Sequence, residues 1–177
     1  MMVFLPNDNE GTKMIRTRWS TPEDASALAD LHRQAWRYTY AGIIPGRALE
    51  RIIGSRGPKW WRHMHRRGAS VLVVELDGQV AGYARLGPVR PRLLKGTGEI
   101  YELYLAPEFH GAGLGEYLFQ EARRRLISRG LTRLVVWSLA ANELGCRFYL
   151  ALGGREIGRT RTRIGGAALT RIGFAWG

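Results

Sequence analysis

From Leu103 to Gly115 the chain reads Leu-Tyr-Leu-Ala-Pro-Glu-Phe-His-Gly-Ala-Gly-Leu-Gly. An apolar, β-type run stops at Pro107, glycines alternate at 111, 113 and 115, and a helical pattern begins. Glycine accepts positive φ and puts no Cβ between backbone and ligand. Successive N–H groups can then converge on one point at a helix start, where the dipole adds positive potential. That chemistry suits a diphosphate. It is not a Walker loop, because no Gly-Lys-Ser/Thr closes it. It is not a Rossmann fingerprint either, because position 116 is Glu and the turn follows a hairpin late in the chain.

Other residues could move protons. Glu99 and Glu102 sit on the strand before the turn. Along a regular strand Glu99, Tyr101, Leu103 and Leu105 share one face and Glu102 takes the other, and a bulge would reverse that assignment. Tyr149 offers a hydroxyl of reference pKa about 10. Asn142 can cap a helix. Cys146 is the single cysteine, which excludes an internal disulfide and a cysteine-built zinc site. His32, His63 and His65 have no metal-ligand spacing, so no metal is expected. Ser128 and Ser138 lack a nucleophile elbow.

The elements that must position these residues follow from periodicity. Residues 1–12 read as an irregular, flexible N-terminus, and 13–177 as one domain. A strand is expected at 14–19. Thr21-Pro22-Glu23-Asp24 starts a helix that ends near Tyr40. A second helical stretch covers 47–67, interrupted near 54–58. Two β runs at 71–75 and 79–85 flank Asp77-Gly78, a hairpin signal. Strands follow at 99–105 and 134–139, with an amphipathic helix at 114–129 between them and another at 142–152 after them. Strands near 155–161 and 168–176 close the chain. The order predicts an α/β (α+β) fold, with a mixed, mostly antiparallel sheet of about seven strands covered by helices.

These residues resemble the GCN5-related N-acetyltransferase superfamily. His110-Gly111-Ala112-Gly113-Leu114-Gly115 is similar to its acetyl-CoA motif, with His where Gln or Arg is usual. Glu99 to Glu108 looks like the strand before it, and Asn142 and Tyr149 match the family's pair on the helix after the fifth strand. The resemblance covers about 90% of the chain. It implies a sheet whose fourth and fifth strands splay apart, and acetyl transfer from acetyl-CoA to an amine. It also implies that the amides of Gly111, Ala112, Gly113, Leu114, Gly115 and Glu116 hold the diphosphate, with His110 beside them. Main-chain groups of Leu103, Tyr104 and Leu105 would meet the pantetheine, with Leu105 N–H as oxyanion donor and Asn142 as a further contact. Glu99 is the first choice for general base, by its distance from His110, and Glu102 the alternative. Tyr149 is the acid. Trp36, Tyr38, Tyr40 and Tyr101 are expected to line the acceptor side.

Charge bounds the partners. Only three of the 27 basic residues are lysines, and the net charge is +12. The arginines are spread along the chain, so a solvated surface is favoured over a nucleic-acid interface, which stays open as a secondary reading. A small-molecule or peptide amine is the expected acceptor. A homodimer stays open. No apolar run spans a bilayer and no secretory signal begins the chain, so a cytoplasmic location is expected.

Overall fold

A computed structural model describes residues 2–5, 13–90 and 95–177. The strands are β1 (Met2–Leu5), β2 (Lys13–Trp19), β3 (Val71–Leu76), β4 (Gln79–Pro88), β5 (Thr97–Leu105), β6 (Arg133–Leu139), β7 (Arg155–Ile164) and β8 (Ala167–Trp176). They form one sheet in the order β1-β2-β3-β4-β5-β6-β8-β7. Every neighbouring pair is antiparallel except β5 and β6. The extra strand is β1. Met2–Leu5, placed by sequence in an irregular N-terminus, pairs with β2 from Met2↔Arg16 to Leu5↔Lys13. Met-Val-Phe-Leu is β-prone, and the polar residues after it had masked that signal. The rest of the expected flexible segment, 6–12, lies outside the described residues. Because of β1, the expected fourth and fifth strands are β5 and β6.

Among the described residues five α-helices cover the sheet: α1 (Ala25–Tyr40), α2 (Gly46–Ser55), α3 (Pro58–Arg66), α4 (Leu114–Ile127) and α5 (Glu143–Ala151). The second helical stretch divides at Arg56-Gly57, and Pro58 opens α3 as a first-turn residue. Before α1, Thr21 N–H donates to the Asp24 carboxylate at 2.7 Å.

Alternation along β3 builds two cores. Leu72 and Val74 pack with Leu114, Leu118 and Phe119 of α4. Val71 and Val73 pack with Leu28 and Leu31 of α1 and Trp61 of α3. All four are fully or nearly fully buried, as a strand covered on both faces requires. A third cluster joins Trp36, Ile44 and Ala48 to Ile164 and Leu169 of the β7–β8 hairpin. At its tip a Cβ on Gly165 would lie 2.2 Å from that of Ala48.

Candidate active site

β5 and β6 run in register from Thr97↔Arg133 to Ile100↔Val136, and there the pairing stops. β5 continues to Leu105 on β4, and β6 to Leu139 on β8. Each strand keeps its outer partner and loses its inner one. Ala106 N–H donates to the Ala81 carbonyl at 3.0 Å. Alternation in an antiparallel ladder then turns the N–H and C=O of Leu105 and Leu103 away from β4, toward the gap. The main-chain groups of Tyr104 face β4 instead.

Beyond β5 comes the glycine turn. Gly111 and Gly113 have φ of +80° and +74°, and a Cβ on either would meet nothing within 4 Å. Their glycines answer to backbone conformation and leave open space above the turn. Gly113 is the N-cap of α4, with no side-chain cap, so the first-turn amides of α4 lack intrahelical acceptors. At Gly115 a Cβ would lie 3.4 Å from the Phe148 ring and 3.6 Å from Leu105, so a small residue lets α4 start against α5 and β5.

On the other side of the gap, Asn142 caps α5 by accepting from Gly145 N–H at 3.1 Å. About two helical turns later, Tyr149 is 8% exposed. Burial pushes its phenol well above the usual tyrosine range, and Tyr40 and Cys146 add to the shift.

The gap is a cavity of about 400 Å³, bounded by β5, the glycine turn, β6 and α5. Of the expected residues it brings together Tyr40, Tyr101, Glu102, Leu103, Tyr104, Leu105, His110, Gly111, Gly113, Gly115, Glu116, Asn142 and Tyr149. Glu99, Ala112, Leu114, Trp36 and Tyr38 are not among its walls. Leu114 is fully buried in the α4 core. Trp36 packs beneath Tyr40, with ring centroids 4.8 Å apart. Tyr38 is exposed and lies edge-on to His110 at 5.0 Å.

The position of Glu99 has a definite cause. Glu102 pairs with Arg85 and Ile100 with Leu86, so Tyr101 is an extra residue, a bulge. After it the faces are reset. Ile100, Leu103 and Leu105 belong to the α4 core, and Tyr104 to the α1 side. Glu99 lies in the closed part of the β5–β6 ladder opposite Val135, with its carboxylate accepting from Arg90 N–H at 3.1 Å. Glu102 is the glutamate of this strand that reaches the cavity.

Glu102 is surrounded by groups that sequence reasoning missed. Its Oε1 accepts from Arg56 and Arg85, each at 2.7 Å. Its Oε2 accepts from the Tyr83 hydroxyl at 3.1 Å. Tyr83 has one hydroxyl proton, so His32 Nδ1, 2.9 Å away, carries a hydrogen and donates to it. His32 is fully buried. Burial, then the charges of Arg56 and Arg85, pull its pKa down to about 3, so the ring is neutral. Burial also drives Tyr83 and Tyr104 well above the tyrosine range. Tyr104 meets Tyr40 through a 2.7 Å hydroxyl pair. Arg85 could be found from sequence only by pairing β4 with β5 across the bulge, and Arg56 only by knowing where α2 ends.

A mixed sheet whose single parallel pair parts over a glycine-built helix start, with a buried tyrosine across the gap, is the architecture that the resemblance implied for N-acetyltransferases. The model of the Acetyltransferase (GNAT) family matches residues 27–153, and the chain belongs to that family. It is 29% identical over 163 residues to the uncharacterized N-acetyltransferase YuaI of Bacillus subtilis (strain 168), covering 92% of this chain and 93% of that one. It is 26% identical over 137 residues to the spermidine N(1)-acetyltransferase of Thermoplasma acidophilum, covering 76% and 84%. Among solved structures, the PaiA N-acetyltransferase from Thermoplasma acidophilum in complex with coenzyme A superposes with a TM-score of 0.71 at 22% identity, over 89% of this chain and 97% of that one. Among the described residues no helix is long and apolar enough to cross a membrane.

Proposed function

We propose that the chain transfers the acetyl group of acetyl-CoA to a primary amine by direct attack in a ternary complex. The observation that carries this reading is the parting of β5 from β6 after Ile100 and Val136, beside the turn at Gly111–Gly115. The coenzyme A bound in the PaiA relative supports the choice of co-substrate.

In this reading the amides of residues 111–116 hold the diphosphate. The pantetheine lies along the free edge of β5 and takes up the Leu103 and Leu105 main-chain groups that β6 leaves unpaired. Leu105 N–H donates to the thioester oxygen and more strongly to the oxyanion that develops there. The amine enters past Tyr40 and Tyr101, loses its proton to Glu102, directly or through water, and attacks the carbonyl carbon. The C–S bond breaks as the tetrahedral intermediate collapses, and Tyr149 protonates the departing thiolate. Among the described carboxylates only Glu102 and Glu116 line the cavity, and Glu116 sits at the diphosphate end. In this reading Glu102 takes the base role and Glu99 a structural one, while Trp36 and Tyr38 support Tyr40 and His110.

Amine-dependent thiol release from acetyl-CoA tests the reading. Glu102→Gln should lower kcat by about 100-fold or more, the range of a lost general base. Glu99→Gln should stay within about 3-fold of the parent on the same scale. The reverse pattern would return the base role to Glu99.

A further inference from the structure

The proposed transfer leaves two buried polar side chains beside Glu102 without a role. Tyr83 comes from β4 and His32 from α1, and both are fully buried. Burial and the Glu102 charge hold the Tyr83 hydroxyl well above the tyrosine range, so it keeps its proton. The Trp36 ring lies 4.9 Å from the imidazole and the Trp61 ring 6.1 Å, which fixes its plane. His32 Nε2 has no hydrogen-bond partner among the described residues. A buried acceptor without a partner lowers stability. What this core position gains from a histidine is therefore its Nδ1 hydrogen bond to Tyr83.

An ionised carboxylate offers about four lone-pair positions, two on each oxygen. Among the described residues Arg56 and Arg85 fill both on Oε1 of Glu102, each at 2.7 Å. Tyr83 fills one on Oε2 at 3.1 Å. One position on Oε2 stays open, on a residue that lines the cavity. A proton can be added there without breaking any of these bonds, because a protonated carboxyl group keeps acceptor capacity.

We propose that Tyr83 is a positioning residue for the transfer: its hydroxyl, held by His32 Nδ1–H, fixes Glu102 so that Oε2 takes the proton of the acceptor ammonium. This rests on the acyltransferase reading and on Glu102 as its base. An N–H bond of the ammonium breaks and an O–H bond forms at Oε2, directly or through water. The nitrogen keeps the electron pair and attacks the acetyl carbon with it. The proton passes to solvent once the product departs. Tyr83 keeps its own hydrogen and donates to Oε2 before and after the transfer. His32 acts one bond further out. Its donation to the Tyr83 oxygen makes the hydroxyl a stronger donor and turns its hydrogen toward Glu102.

The test follows acetyl-CoA-dependent thiol release with spermidine, phenethylamine and L-leucine, using whichever amine is turned over fastest. Tyr83→Phe removes the hydroxyl alone. It should lower kcat about 10-fold, on the order of one hydrogen bond to a charged group, with amine KM and coenzyme A Kd within about 2-fold of the parent. In a Glu102→Gln background the same change should alter kcat by less than about 2-fold, because no carboxylate remains to be positioned. His32→Leu should lower kcat about 5-fold, and His32→Asn, whose amide nitrogen takes the place of Nδ1, should recover about 3-fold of that. Thermal unfolding checks each variant, and the His32 pair repeats the test without touching β4. A tyrosine with a merely structural role would lower kcat by the same factor in both backgrounds. That result, parental kcat in Tyr83→Phe, or asparagine no better than leucine at position 32 would overturn the inference. Parental kcat in Glu102→Gln would remove the base and this inference with it, while leaving acetyl transfer standing. Failure to bind coenzyme A and to release thiol with any of the three amines would bring down both.

Discussion

Tyr149 keeps its proton because a phenolate inside the α5–β8 packing has little solvation, and Tyr40 and Cys146 raise the cost further. It can therefore donate throughout the neutral and alkaline range, so no loss of rate up to about pH 10 should trace to this group. Tyr149→Phe removes the donor and leaves the ring. It should lower kcat about 10- to 100-fold, as loss of a positioned acid does, while calorimetry finds coenzyme A affinity nearly unchanged. Parental turnover in that variant would take Tyr149 out of the acid role. His32 acts on stability. Its pKa falls from 6.5 in the unfolded chain to about 3 in the fold. Between those values the unfolded chain binds the extra proton, so stability is complete above the upper value and declines as pH drops through the interval. From pH 6.5 to about 5 the loss is roughly 2 kcal/mol at 1.36 kcal/mol per unit. Urea titrations of His32→Gln should show a pH-dependent loss smaller by about that amount, and equal slopes in variant and parent would contradict the assignment.

At the scale of elements, β5 decides the site. Its bulge at Tyr101 turns Glu102 toward Arg56, Arg85 and Tyr83 and leaves Glu99 in the closed ladder. A period-two reading of the sequence puts these glutamates on opposite faces, and no residue type near Tyr101 announces the extra step. The glycine turn was legible because positive φ at two positions leaves glycine as the available residue. Asn142 was legible as a cap because its amide serves the helix beside it. The Glu102 cluster was not, since its members come from α1, the α2–α3 turn, β4 and β5, and only long-range packing unites them. β5 is also held from behind. A Cβ on Gly82 would lie 2.3 Å from Leu105 Cδ2 and 2.8 Å from the Tyr104 carbonyl oxygen. Gly82→Ala must displace the Leu105 side chain and shift β4 and β5 relative to each other at Tyr104. It should cost about 1–3 kcal/mol of stability, as overpacking does, and reduce kcat/KM by displacing the Leu105 amide. Unchanged thermal unfolding and unchanged turnover would show that β5 yields without consequence.

Across the whole molecule, hydrophobic periodicity carried most of the architecture. The strand and helix order from β2 to β8 follows from alternating runs, turn residues and the four-residue stripe of α4. Met2–Leu5 escaped because four residues are too few to stand against the polar stretch behind them. Several carboxylates are taken up in ion pairs, as Glu75 is with Arg16 and Arg18, and Glu121 with Arg124. The net charge of +12 gives a field that, in the proposed reading, favours a phosphate-rich ligand at the glycine turn. That ligand is the heart of the account. Isothermal titration of the chain with coenzyme A should give a Kd of about 1 μM or tighter, near −8 kcal/mol, and Gly113→Trp should abolish the heat while the protein still unfolds cooperatively. No heat with the parent chain, or equal affinity in the tryptophan variant, would contradict it.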